Sequence, residues 1–276
     1  MLFTRQDAAT TLGVGVNMVR AIRHWCLATG VLAVLPGSRS TALGLTALGE
    51  ALLADDGFDP HLEDAGTLWL LHWQIVSNPV RGLIWYLTFT TYPEVEFSKE
   101  HLMHHAGRQL QRMDIQTTDN VLKREIDCCL RSYLPAQSRR TKTNELADWE
   151  TSVDCPLLDL EILQLTPSDG LYRFRVGPKP SLPSPVMGFA LLQYWKAQGL
   201  HRRTMTVDEC LYQPGSPGQA FKLDENSTVA YLEQLAEISN GLIQIQETSG
   251  LRQIYFKIRP EDIDRCALEL LEVHYA

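Results

Sequence analysis

The chain has 276 residues, 45% of them hydrophobic and 21% charged, with a formal net charge of -8 and a sequence pI near 5.5. This composition excludes disordered, collagen-like and low-complexity chains, and at roughly 100 to 200 residues per domain the length suits two or three small domains with real cores. The acidic balance argues against a chain that coats nucleic acid non-specifically but leaves room for one local basic face.

Met1 is followed by Leu2-Phe3-Thr4-Arg5-Gln6-Asp7, without a basic start leading into an apolar run, so no secretory signal is expected and a cytoplasmic location is the default. Thr4 and Asp7 have the spacing of a capping box, ahead of a short helix. Leu12-Gly13-Val14-Gly15 supplies a tight turn, and helical periodicity returns from Val16 to Leu27. Ala8, Leu12, Val14, Val19 and Ile22 are the expected core of this helix-turn-helix. Asn17, Arg20, Ala21 and His24 then face outward, with Arg23 at the flank. In this motif the second helix offers such side chains to major-groove edges and phosphates, and Asn and Arg suit that task. A plain helical hairpin with a solvated basic face is the competing reading.

Val31 to Leu35, a Pro36-Gly37-Ser38-Arg39-Ser40 turn and Ala42 to Leu45 read as a β-hairpin, followed by a helix capped by Thr46. This is winged-helix order, with Arg39 at the wing tip in reach of a phosphate or the minor groove. From Met1 to Arg39 the charges are Arg5, Arg20, Arg23 and Arg39 against Asp7 alone, a local basic excess that the overall acidity hides.

The acidic run Asp55 to Asp64 lacks the alternate ligand spacing of a calcium loop and reads as a solvated, helix-capping loop. Leu68 to Val76 and Leu83 to Leu87 are dense in aromatics and predict buried helices, with His72 as a hydrogen-bonded core histidine. Their longest apolar stretches are broken well short of the roughly 20 residues a membrane span needs, so no transmembrane helix is expected. His101, His104 and His105 follow a Ser98 cap on one helical face. Without a matched carboxylate or Cys spacing this reads as a polar helix rather than a zinc or iron site, and no metal ligand is assigned. Asp119 to Leu134 is a further helix, with Cys128 and Cys129 as packing residues. The six cysteines form no CxxC pair, and reduced thiols are expected.

Pro135 to Asn144 is polar and basic and is the best linker candidate; the proline-rich Gly177 to Pro185 reads as a rigid extended connector. Beyond it lie helices at Met187 to Ala197, Thr206 to Leu211 and Asn226 to Ala236, then paired strands Leu242 to Gln246 and Arg252 to Phe256. The expected fold is mainly α with small β-hairpins: a winged helix-turn-helix over 1–56, a helical domain over 57–134, a linker over 135–150 and a second winged-helix-like module over 151–276. Glu225, Glu233 and Glu237 make the last module's third helix acidic, which suits a protein partner or internal packing.

The blocks Leu12 to Cys26, Leu45 to Glu50 and Leu62 to Trp73, with Asp154 to Leu157, Phe174 to Pro183, Ser216 to Glu225 and Thr248 to Gln253, resemble the SspB-like family of bacterial DNA phosphorothioation loci. The resemblance spans most of the chain. It implies a part in sulfur modification of the DNA backbone or the associated phage defence, with double-stranded DNA, a cysteine desulfurase, a pyrophosphatase-type sulfur transferase and an ATPase as partners, and it leaves a homodimer open. It further implies metal-dependent DNA nicking, using magnesium or manganese, and in related chains an additional aromatic and basic segment ahead of the helix that starts at Thr4. No nuclease signature stands out in the residues themselves, so no catalytic residue is assigned. Asn17, Arg20, Arg23, His24 and Arg39 form the expected DNA-binding set. The alternative is a non-catalytic winged-helix regulator or assembly adaptor.

Overall fold

The computed structural model describes residues 3, 7–38, 42–135, 155–166, 169–199, 202–248 and 250–276. Among these the protein is mainly helical, with one two-stranded and two three-stranded antiparallel sheets. No helix among the described residues is long and apolar enough to cross a membrane.

Helix α1 (Ala8–Leu12) ends at Gly13, whose φ of 66° lies in the left-handed region where a side chain would be strained. Helix α2 (Val16–Ala28) follows at once. Strands β1 (Leu32–Val34) and β2 (Leu43–Leu45) then pair antiparallel, Leu32 opposite Leu45 and Val34 opposite Leu43. Helix α3 (Ala47–Leu53) starts at Thr46, whose hydroxyl accepts from the Gly49 amide at 2.9 Å and donates to the Gly30 carbonyl at 2.6 Å. The order helix, turn, helix, hairpin, helix is the expected one. Its core is thinner than expected: Ala8 and Val19 are buried, but Leu12, Val14 and Ile22 are only half-buried. The expected cap at Thr4 and hairpin tip at Arg39 lie outside the described residues.

The acidic loop serves as a cap. Asp59 accepts from the amides of Glu63 and Asp64, and Asp64 in turn caps helix α4 (Ala65–Val76) by accepting from Gly66. Helix α4 buries Trp69 and Trp73 completely or nearly so. Helix α5 (Leu83–Tyr86) runs into a π-helical turn over Leu87–Thr91, a feature not expected from the sequence. Strand β3 (Glu96–Phe97) leads to α6 (Lys99–Arg112), capped by Ser98, and α7 (Asp119–Arg131), capped by Thr118. An ion pair between Lys99 and Asp127 ties these two helices together.

Of the 135–150 linker only Pro135 is among the described residues. After a 3-10 turn at Pro156–Leu160, strands β4 (Leu163–Leu165) and β5 (Tyr172–Phe174) join β3 in a sheet of order β3-β5-β4, with Phe97 opposite Tyr172. The chain on either side of residues 136–154 thus shares one sheet. The proline-rich stretch, expected as a rigid extended connector, is packed against the core: Lys179 and Leu182 are buried, and the Ser181 hydroxyl accepts from the Trp69 indole at 3.0 Å.

Next come α8 (Ser184–Ala197), β6 (Thr204–Thr206), α9 (Val207–Tyr212), α10 (Pro217–Ala220), α11 (Glu225–Ile238), β7 (Ile243–Thr248), β8 (Leu251–Phe256) and α12 (Ile263–Tyr275). Strand β6 and helix α12 were not among the expected elements. β6 pairs with β8 to give a sheet of order β6-β8-β7, and Trp195 of α8 stacks on Phe256 at 4.1 Å between centroids. Gly188 of α8 lets α11 and α12 approach: a Cβ there would lie 2.5 Å from Leu235 and 2.9 Å from Leu270. The end of α12 returns to the acidic loop, where Tyr275 bonds Thr67 and stacks on Phe58, and His274 bonds Asp64 at 2.8 Å. One buried apolar cluster runs from Leu48 to Leu271, and all six cysteines are free thiols.

Candidate nucleic-acid interface

Helix α2 buries Val19, with the half-buried Ile22 and Cys26 on the same face. With 3.6 residues per turn, Asn17, Arg20 and His24 fall together opposite that face, and all three are exposed. Along the axis they span about 10 Å, within the roughly 12 Å width of a B-DNA major groove. Arg20 makes no ion pair and no side-chain hydrogen bond among the described residues, which leaves its five donors without a partner there. Arg23, at the flank of this face, is half-buried and is not free of partners. At the C-terminal part of the helix, Trp25 stands edge-on to Trp85 of α5, centroids 5.1 Å apart, and His24 stands edge-on to Trp25 at the same distance. The tryptophan pair fixes the rotation of α2 about its axis and therefore which face is left outward. Beside the face the hairpin loop is closed by the Ser38 hydroxyl, which donates to the Leu35 and Ala42 carbonyls.

The sequence singled out two other groups, and they separate. His101 and His104 of α6 are exposed, whereas His105 is buried with its Nε2 2.9 Å from the Thr91 hydroxyl. Because that hydroxyl already donates to the Leu87 carbonyl, His105 donates to it from Nε2. Burial holds its pKa below the usual imidazole value, and the charges of Arg108 and Arg112 lower it further. Among the described residues no three His, Cys, Asp or Glu side chains converge as a metal set.

A polar centre of which the sequence showed only His72 lies inside the protein. His72 is fully buried, with Nδ1 2.8 Å from the Tyr133 hydroxyl and Nε2 2.9 Å from the Ala220 carbonyl. The carbonyl can only accept, so Nε2 carries the proton and Nδ1 accepts from Tyr133. Burial pushes His72 down to about 4, against the Ala220 hydrogen bond and helped by the charge of Lys222. The Lys222 ammonium donates to the Phe89 carbonyl at 2.6 Å, inside the π-helical turn, and sits 4.2 Å from the Phe174 ring centroid. The Lys179 ammonium donates to the carbonyls of Arg175, Gly177 and Lys222. Burial lowers both, Lys222 to about 7 and Lys179 to about 8. These groups are sealed from solvent and hold loops together rather than meeting a substrate.

Residues 1–275 match a family described as a protein of unknown function, DUF4007. The chain belongs to the DUF4007 family. Comparison with curated proteins finds no match. Two solved structures are similar to this DUF4007 chain over 99% of its length, each with a TM-score of 0.84. One is a crystal structure of SspB bound to magnesium ion, at 28% identity and with 79% of its own chain covered. The other is a crystal structure of SspB, at 29% identity with 80% covered. The SspB-like resemblance read from the sequence therefore holds across the whole fold of this DUF4007 member.

Proposed function

We propose that this DUF4007 protein is the DNA-binding component of a bacterial DNA phosphorothioation system and that α2 is the recognition helix of an N-terminal winged helix. The likeness to SspB supports a phosphorothioation-related protein. The observation that carries the DNA reading is the exposed stripe of Asn17, Arg20 and His24, with Arg20 unpaired among the described residues, on a helix locked in rotation by Trp25 and Trp85. Arg23 flanks the stripe, and Arg39, outside the described residues, is assigned by its sequence position to the tip of the proposed wing.

Replacing Arg20 and Arg23 together by Ala weakens duplex binding by about 2 kcal/mol and lowers the slope of log affinity against log salt by about 1 to 2. Fluorescence anisotropy across a salt series measures both quantities. Wild-type affinity and slope in the double variant would remove α2 from the interface.

Nicking is the second half of the reading. The magnesium ion belongs to the SspB structure, and the described residues here offer no converging ligand set for one, so no catalytic step is assigned to a metal. A nickase relaxes supercoiled plasmid in magnesium or manganese. A protein that binds duplex and leaves the plasmid supercoiled in both ions is the assembly adaptor or regulator instead.

A further inference from the structure

The C-terminal part of α8, the residues that follow α4, Tyr86 of α5 and the turn between α9 and α10 enclose a cleft of about 610 Å³, within the size range of small-molecule sites. Its polar lining is oriented in advance. Gln193 accepts on Oε1 from the Trp73 indole at 2.7 Å and from the Gln74 amide at 3.1 Å. An indole N–H can only donate, which fixes the orientation of the carboxamide and leaves its Nε2, with two N–H groups, without an acceptor among the described residues. The next residue, Tyr194, is 6% exposed, and its hydroxyl makes no hydrogen bond among the described residues. The partnerless polar atoms that are sealed in the described interior belong to Trp85, Thr88 and Tyr92, so the Gln193 amide and the Tyr194 hydroxyl are both open to the cleft that their residues line. Burial pushes the Tyr194 phenol up to about 12, and it is a protonated donor at neutral pH. The lining carries no free charge among the described residues: the Lys196 ammonium donates to both Asp264 carboxylate oxygens, at 2.7 and 2.6 Å. Tyr86 forms a wall held by bare backbone, since a Cβ on Gly215 would lie 3.3 Å from its ring.

We propose that this cleft binds a nucleobase, whose acceptor edge takes hydrogen bonds from Gln193 Nε2 and the Tyr194 hydroxyl and whose ring lies against Tyr86. A lining whose charges cancel offers an ion no partner, so the ligand is held by its neutral part. Two adjacent donors call for two adjacent acceptors, and a base edge supplies them, as N7 beside O6 in guanine or N3 beside O2 in cytosine. An aliphatic chain or a plain aromatic ring supplies none and leaves both donors dry, which costs about a hydrogen bond for each. Because Gln193 Oε1 is already occupied by two donors, its amide cannot accept from a base amino group, and guanine and cytosine fit better than adenine, whose N7 adjoins one. Stacking on a tyrosine ring is open to any base. Trp73 and Gln74 are positioning residues that hold the Gln193 amide. The proposal stands on residues outside α2 and does not depend on the duplex-binding reading.

The test adds the four deoxynucleosides, which carry no phosphate, to the intact protein and follows the backbone amide resonances of Ala197 and Gly215 together with the side-chain amide of Gln193. Deoxyguanosine and deoxycytidine shift them and saturate, while the resonances of α6, which lies outside the cleft, stay still. Tyr194→Phe keeps the ring and loses the hydroxyl, and it weakens the response by about tenfold. Gln193→Glu still accepts from Trp73 and Gln74 but has no donor left, and it weakens the backbone response by at least about tenfold. Thermal unfolding reports whether each variant is folded, and either variant alone keeps the test alive if the other is not. Indole, which is planar but has no acceptor, leaves the resonances unmoved. A short single-stranded oligonucleotide distinguishes the source of the base. If it moves the cleft resonances at lower concentration than the nucleosides, the ligand is an unpaired base in DNA; if only the nucleosides move them, it is a free nucleoside or nucleotide. Equal shifts with indole, no saturation by deoxyguanosine or deoxycytidine, or a wild-type response in both variants overturns the proposal. The Arg20 and Arg23 double variant keeps the nucleoside response, so failure of the duplex-binding reading and failure of this one are told apart.

Discussion

Unfolding free energy is expected to rise by several kcal/mol from pH 5 to about pH 8.5, most of it from two fully buried side chains. His72 holds its proton only below about 4 in the folded protein, against an ordinary value of 6.5. As pH falls from 6.5, the unfolded chain takes up a proton and the folded chain does not, so stability is lost on the acid side. At about 1.4 kcal/mol per pH unit this amounts to about 2 kcal/mol between pH 6.5 and pH 5. Lys222 titrates near 7 when folded and near 10.5 otherwise. Between these values the unfolded chain again holds the extra proton, so stability grows as pH rises from 7, by a similar amount up to about pH 8.5. Lys179 acts in the same direction.

The rise ends where the buried thiols and phenols begin to titrate. Cys129, Cys210 and Tyr133 are all raised by burial, so at higher pH their unfolded forms ionise first and stability falls again. Urea midpoints at a series of pH values measure the curve. His72→Gln flattens the limb below pH 6.5, and Lys222→Met flattens the limb above pH 7. Curves that run parallel to wild type in both variants would refute the assignment.

The same centre shows where sequence reading stops. His72 was legible as a core histidine because it stands in the apolar run from Leu68 to Val76. Lys179 and Lys222 were not, because Pro-Lys-Pro and Lys-Leu-Asp-Glu are polar contexts that read as surface. The acceptors that let the two ammonium groups be buried are mostly backbone carbonyls from other turns, Phe89 among them, which no side-chain pattern records. The β3-β5-β4 sheet was hidden for a related reason. Its strands have two or three residues each and gain stability only from partners remote in the chain, so no period-two run announces them. Strand β6 went unread because its last residue, Thr206, is also where the expected short helix begins, capping α9 through a reciprocal bond with Glu209.

On the face proposed for DNA the reverse holds. The outward stripe of Asn17, Arg20 and His24 follows from the 3.6-residue period alone, and the structure places these three together. Periodicity also puts Arg23 at the flank, where a small change in helix rotation decides between exposure and partial burial, and it is half-buried. That rotation is set by Trp25 against Trp85, a contact between segments far apart in the sequence.

The strongest expected effect on the N-terminal segment comes from Gly49→Ala. A Cβ at this position would lie 2.1 Å from the Val31 carbonyl oxygen and 3.0 Å from the Val31 Cα. Both are backbone atoms, so no rotamer change relieves the clash. Helix α3 must move off the segment that carries β1, and two bonds go with it: the Thr46 hydroxyl to the Gly30 carbonyl and the Thr46 amide to the Val31 carbonyl. The cost is about 3 kcal/mol, at the upper end for overpacking, since strain and lost hydrogen bonds add. It falls on the hairpin and on α2, which packs against β1, while α8 and α12 are held elsewhere through Leu235 and Leu270 around Gly188. Hydrogen exchange is therefore expected to quicken in α2, β1 and α3 and stay slow in α8 and α12. Duplex affinity should fall further than in the Arg20 and Arg23 double variant, because the whole face loses its orientation rather than two of its charges. Wild-type exchange in α2 together with wild-type DNA affinity would mean that α3 does not brace the interface.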